Sequence, residues 1–114
     1  MFDFEKLEVY KLASAQNNRT IKFLASSKTD LYLKEQWKRA SLSMVLNLAK
    51  GIGRVTSADK KHFCTMLRGS VYECAALLNV VKELDLLNEE EYKQMYDNYE
   101  QISKMLLGLY RNCG

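Results

Sequence analysis

Residues 88–113 read NEEEYKQMYDNYEQISKMLLGLYRNC, and their periodicity decides the fold. Tyr92, Met95, Tyr99, Ile102, Leu106, Leu109 and Cys113 recur at alternating steps of three and four, an a/d heptad held over three repeats. Tyr96, Ser103 and Tyr110 lie beside this stripe. The start is marked locally. Asn88 is a good N-cap, Glu91 sits three residues on where its side chain can reach back, and Glu89 and Glu90 suit the positive end of the helix dipole. Leu87 and Tyr92 have the spacing of a hydrophobic staple. The segment is therefore an amphipathic helix that needs neighbours.

Upstream, the same spacing runs through Phe63, Met66, Leu67, Val71, Cys74, Leu77, Leu78, Val81 and Leu84, with Thr56 or Ser57 as cap and Asp59 three residues beyond Thr56. Before it, residues 31–52 form a helix with two apolar stripes. One holds Leu33, Trp37, Ala40, Met44, Leu48 and Gly51. The other holds Leu42, Val45, Ala49 and Ile52, roughly 120° around the helix axis. One stripe satisfies a bundle core, so the second calls for another helix of the chain or another subunit, and self-association is the expectation. The first helix reads as one piece from Phe4 to Ala25, through Leu7, Tyr10, Ile21 and Leu24, although polar Gln16, Asn17 and Asn18 interrupt the pattern. Residues 26–30 read as a loop ending in a cap.

Four helices joined by three short connections predict an all-α antiparallel up-down-up-down four-helix bundle, residues 1–114 forming a single domain. Composition agrees: there is no proline, five glycines, 47% hydrophobic and 27% charged residues. The longest uncharged stretch, Ala40–Ala49, is about half of a membrane span, so no membrane contact is expected. Asp3 and Glu5 stand where a secretory signal would be basic, and a cytoplasmic location is expected.

Catalytic and metal chemistry find little footing. Cys64, Cys74 and Cys113 lack Cys-x-x-Cys spacing, and His62 is the single histidine. His62 and Cys64, two apart, point to different sides of a helix, and the cysteines read as small hydrophobes in a reducing compartment. Glu-x-x-His pairs of a di-iron bundle are absent. Gly51-Ile52-Gly53-Arg54 fails as a phosphate loop because no strand precedes it and no Gly-Lys-Ser/Thr follows. Glycine there reads as a left-handed end to helix 2. The expectation is a protein with no catalytic residues, no metal and no cofactor.

The formal net charge of +3 is unevenly spread. Residues 31–56 carry Lys34, Lys38, Arg39, Lys50 and Arg54 against Glu35 alone, whereas residues 88–114 are net negative. Arg39, Ser43 and Lys50 share one face of helix 2, and a helix running on to Arg54 would add that side chain. These cations suit nucleic-acid phosphates. Arg39 and Asn47 fit better as a polar seam against helix 3, where Gly69, Ser70 and Glu73 could receive them. For Lys34, Lys38, Lys50 and Arg54 a solvated face and a phosphate-contacting surface stand side by side. The seven tyrosines read as core or interface residues rather than base-stacking platforms.

The run from Gln36 to Arg54, QWKRASLSMVLNLAKGIGR, resembles the signature Q-x-R-R-A-x-x-S-I-x-x-N-I-A-E-G-x-G-R of the bacterial four-helix bundle proteins encoded in intervening sequences of 23S ribosomal RNA genes. Phe63, Leu67, Gly69, Ser70 and Glu73 resemble F-x-x-x-L-x-x-A-x-G-S-x-x-E. Leu84 to Leu109 resembles L-G-Y-L-x-x-E-E-Y followed by I-x-x-M-L-x-G-L, and Phe4 to Tyr10 resembles F-x-x-L-x-V-W. The resemblance implies a homopentamer without known catalysis. Through the related accessory variability determinant proteins of diversity-generating retroelements, it also implies RNA or DNA and a reverse transcriptase as partners. Lys50 stands where the pattern has Glu, Val45 where proline is common, and Arg68 where a small apolar residue is usual. The expected function is RNA binding through Lys34, Lys38, Arg39, Lys50 and Arg54, with Leu42, Val45, Ala49 and Ile52 joining subunits. The alternative is a scaffold that recruits a protein partner.

Overall fold

The computed structural model describes residues 1–54 and 56–111. Its helices are α1 (Glu8–Ser26), α2 (Leu31–Ile52), α3 (Ser57–Glu83) and α4 (Glu89–Arg111). Each packs on two others in the circular order α1, α2, α3, α4, so the bundle is a square with α1 closing onto α4. The caps follow local chemistry. Asp30, Thr56 and Asn88 accept from the backbone N–H groups of Tyr32, Asp59 and Glu91 at 2.9, 3.1 and 2.7 Å. Inside, Trp37, Met44, Leu78, Met95, Ile102 and Leu106 are fully buried. The heptad read in α4 is therefore its core stripe, with Cys113 outside the described residues.

Helix 1 is shorter than its apolar pattern predicts. Asp3–Lys6 forms a 3-10 turn, Leu7 is extended, and α1 begins only at Glu8. The Glu5 carboxylate accepts from the Phe2 N–H at 3.0 Å, and the Phe4 ring meets Tyr10 edge-on at 4.9 Å. Breaking the helix at Leu7 lets these two rings meet. Further along, the polar interruption is itself interior: Gln16, Asn17 and Thr20 are buried while Ile21 is exposed. Met66 of α3 and Leu84 just after it, expected inside, are also exposed.

The buried polar groups form a directed chain. Trp37 Nε1 donates to Tyr99 Oη at 3.0 Å, and Tyr99 Oη lies 3.3 Å from Thr20 Oγ1. Thr20 Oγ1 donates to the Gln16 carbonyl at 2.9 Å. With Thr20's proton so placed, the Tyr99 hydroxyl donates to Thr20. Asn98 Nδ2 donates to Gln16 Oε1 at 2.9 Å. The Cys74 thiol, also against Tyr99, is pushed up to about 12 by burial. Burial likewise raises the Tyr99 hydroxyl above its ordinary value. Neither group ionises near neutrality, so Cys74 is no thiolate nucleophile.

Two turns correct the sequence reading. Gly53 has φ −77° and continues right-handed, and no described glycine has positive φ. Tight bonds from Gly53 N to the Lys50 carbonyl and from Arg54 N to the Gly51 carbonyl, both 3.2 Å, end α2 instead. Gly51 suits the close approach of α2 to α3: a Cβ there would sit 3.0 Å from Phe63 Cβ, a tight contact. The left-handed residue is Asp85, φ 59°, after α3. Leu86 N bonds the Val81 carbonyl at 3.4 Å and Asp85 N the Lys82 carbonyl at 3.0 Å, a Schellman turn.

Candidate nucleic-acid interface

Helix 2 turns six residues outward into one shallow surface groove: Arg39, Leu42, Ser43, Leu46, Asn47 and Lys50. Its floor is the seam with α3. Asn47 Nδ2 donates to Ser43 Oγ at 2.9 Å, and Ser43 Oγ lies 3.4 Å from Ser70 Oγ. Asn47 and Ser43 therefore supply the seam, while Arg39 remains exposed. Leu42 and Leu46 are each 47% exposed between the two cations. Leu46 was not among the residues expected here, although its outward position follows from Leu42 by one helical turn.

The five cations do not form one cluster. Arg39 and Lys50 share the groove. Lys34 and Lys38, one turn apart, lie roughly 100° or more around α2 from Arg39. Arg54 follows the end of α2, and its guanidinium sits 4.4 Å from the centre of the Phe63 ring. None of Lys34, Lys38, Arg39 and Lys50 has an ion pair among the described residues. Lys38, Arg39 and Lys50 are exposed and Lys34 is half-buried. Four charges with no internal partner keep their full field available to an outside anion.

The second apolar stripe is largely taken up within the chain. Val45 belongs to the hydrophobic core at 8% exposure, and Ala49 and Ile52 are half-buried. Of that set only Leu42 is exposed. Apolar surface is left instead at Leu42 and Leu46 of α2 and at Met66 of α3, 46% exposed. Gly69, also exposed, lies one turn from Met66, and a Cβ added to it would meet nothing within 4 Å.

Two ion pairs elsewhere hold the bundle together. Arg19 clamps Glu91 through Nε at 3.1 Å and Nη2 at 2.6 Å, and also reaches Gln94 Oε1. The Arg19 hydrogen bonds hold the Glu91 carboxyl below its usual range, and Glu91 in turn raises Arg19. Glu91 thus ties α4 to α1 instead of reaching back to Asn88. Lys82, raised by its hydrogen bond to Glu89 at 2.7 Å, bridges the α3–α4 turn. Among the described residues no cluster of three or more His, Cys, Asp or Glu could hold a metal ion, and no helix is long and apolar enough to cross a membrane.

Comparison with known proteins fits this architecture. No curated protein matches the chain. A crystal structure of a protein of unknown function from the S23 ribosomal protein family of Bacteroides thetaiotaomicron superposes with a TM-score of 0.84 at 17% identity, covering 91% of this chain and 99% of that one. That likeness carries the fold. The family model described as 23S rRNA-intervening sequence protein matches residues 5–108. The chain belongs to the 23S rRNA-intervening sequence protein family.

Proposed function

We propose that the chain is a non-enzymatic, self-assembling cytoplasmic protein that binds structured RNA, ribosomal RNA in the first instance, through the cations of α2. The observation that carries this is the group Lys34, Lys38, Arg39 and Lys50, each without an ionic partner among the described residues, while Glu89, Glu91 and Asp97 elsewhere are engaged in pairs. Unpaired cations release condensed counterions from a polyphosphate on binding. Self-assembly is supported by the exposed Leu42, Leu46 and Met66 and by Gly69, which lies open one turn from Met66. A glycine inside a helix costs about 1 kcal/mol against alanine, and close approach of a second copy is a reason to keep it. A ring of five would turn one weak patch into an avid surface.

A fluorescence titration with structured RNA at rising salt tests the reading. Binding should weaken steeply with salt, and Lys50→Glu with Arg54→Glu should reduce it at least about tenfold at low salt. Absence of binding at low salt, or indifference to the double variant, counts against it. Sedimentation should give five times the 13.2 kDa of one chain, and Leu42→Glu with Leu46→Glu should dissociate it. A second reading, a scaffold that recruits a protein such as a reverse transcriptase without touching RNA, is favoured by the same apolar pair. It would be supported by assembly without RNA affinity.

A further inference from the structure

The α3–α4 side of the bundle carries a different chemistry from α2, which lies diagonally across the square from α4. Two grooves line this seam, one of about 350 Å³ and one of about 220 Å³. Tyr72 and Tyr96 border the first, whose walls include the small residues Ala75 and Ser103. Arg68 and Tyr110 border the second. Tyr72, Tyr96 and Tyr110 are 53%, 39% and 42% exposed, so each offers a ring to solvent.

Cations accompany these rings. The Arg68 guanidinium lies 5.1 Å from the centre of the Tyr72 ring and donates to Tyr72 Oη at 2.7 and 3.2 Å. Lys61 Nζ sits 5.9 Å from the centre of the Tyr110 ring. Lys104 lies on the wall of the first groove with Glu100, the single carboxylate lining either groove. Three of the four cation–ring contacts among the described residues fall on α3 and α4 with their tyrosines. Exposed rings spaced along a channel with excess positive charge stack bases and hold phosphates without reading sequence. Duplex bases are already stacked and cannot offer their faces, so this chemistry selects unpaired nucleotides.

We infer that the α3–α4 groove is a second nucleic-acid site, taking single-stranded RNA with bases on Tyr72, Tyr96 and Tyr110 and phosphates on Lys61, Arg68 and Lys104. The inference rests on the RNA-binding reading above but on separate residues. The full chain is titrated with a short labelled oligouridine and with an RNA duplex of the same length. Tyr72→Ala with Tyr96→Ala should weaken oligouridine binding at least about tenfold and leave the duplex within twofold, while Tyr72→Phe with Tyr96→Phe, which keeps the rings, should bind as wild type. Arg68→Glu with Lys104→Glu repeats the test through the phosphates and should also weaken oligouridine at least tenfold.

Loss of both RNAs alike, or of neither, overturns the groove. So does a change in sedimenting mass of the Tyr72→Ala, Tyr96→Ala variant, which would make the face a contact between copies. Duplex binding that is absent in the wild type, with tyrosine-dependent oligouridine binding intact, overturns the α2 reading and supports this one.

Discussion

Asp85 occupies the left-handed region at φ 59°, where a Cβ is unfavourable by about 1–2 kcal/mol. Glycine adopts this conformation without that cost. Asp85→Gly should therefore raise the thermal midpoint by several degrees, about 1 kcal/mol, and Asp85→Val should lower it, both read by circular dichroism melting. Ser41 tells the opposite story about polarity. Its Oγ is buried with no hydrogen-bond partner, so Ser41→Ala should be neutral or stabilising. Tyr99→Phe should cost about 1–3 kcal/mol because it strands the Trp37 N–H. Chemical denaturation of the two variants separates these signs.

At the scale of elements, α2 was legible in the sequence: Asp30 caps it and its residues end at Ile52, as read from spacing alone. Helix 1 was legible as one piece, but its start at Glu8 and its interior face were not, because apolar periodicity cannot see a buried polar layer. Gln16 and Thr20 look like surface until a partner on α4 accepts or donates to them. The tight contact at Gly51 was also hidden, since it depends on the distance between two helices and not on the glycine's own backbone. Gly51→Ala should accordingly destabilise by about 1–3 kcal/mol despite alanine's better helix propensity, because Phe63 Cβ, 3.0 Å away, would have to give way by a few tenths of an ångström. The basic excess of residues 31–56 was countable from composition. Its division into Arg39 with Lys50, Lys34 with Lys38, and Arg54 over Phe63 needed the bundle. So did the removal of Val45 from the surface.

For the whole molecule, the Arg19–Glu91 clamp fastens the first helix to the last and so closes the square. Glu91 titrates below its usual range when folded. Its contribution is therefore present above the unfolded carboxylate value, about 4.3, and is lost as pH falls through the lower folded value. Stability of the wild type relative to Glu91→Gln should be constant near neutrality, about 1 kcal/mol with solvent screening, and shrink towards zero below about pH 4. Denaturation midpoints across that interval check the sign. A difference that grew on acidification would reverse it.

Trp37, the single tryptophan, is wholly enclosed and hands its indole proton to a phenol on a helix diagonally across from its own. The molecule thus carries an optical gauge at the joint of its frame. Emission from this fluorophore should report the parting of opposite corners in one signal, and it should stay silent when RNA settles on the periphery. Folding can then be followed without an attached dye, with or without RNA in the cuvette.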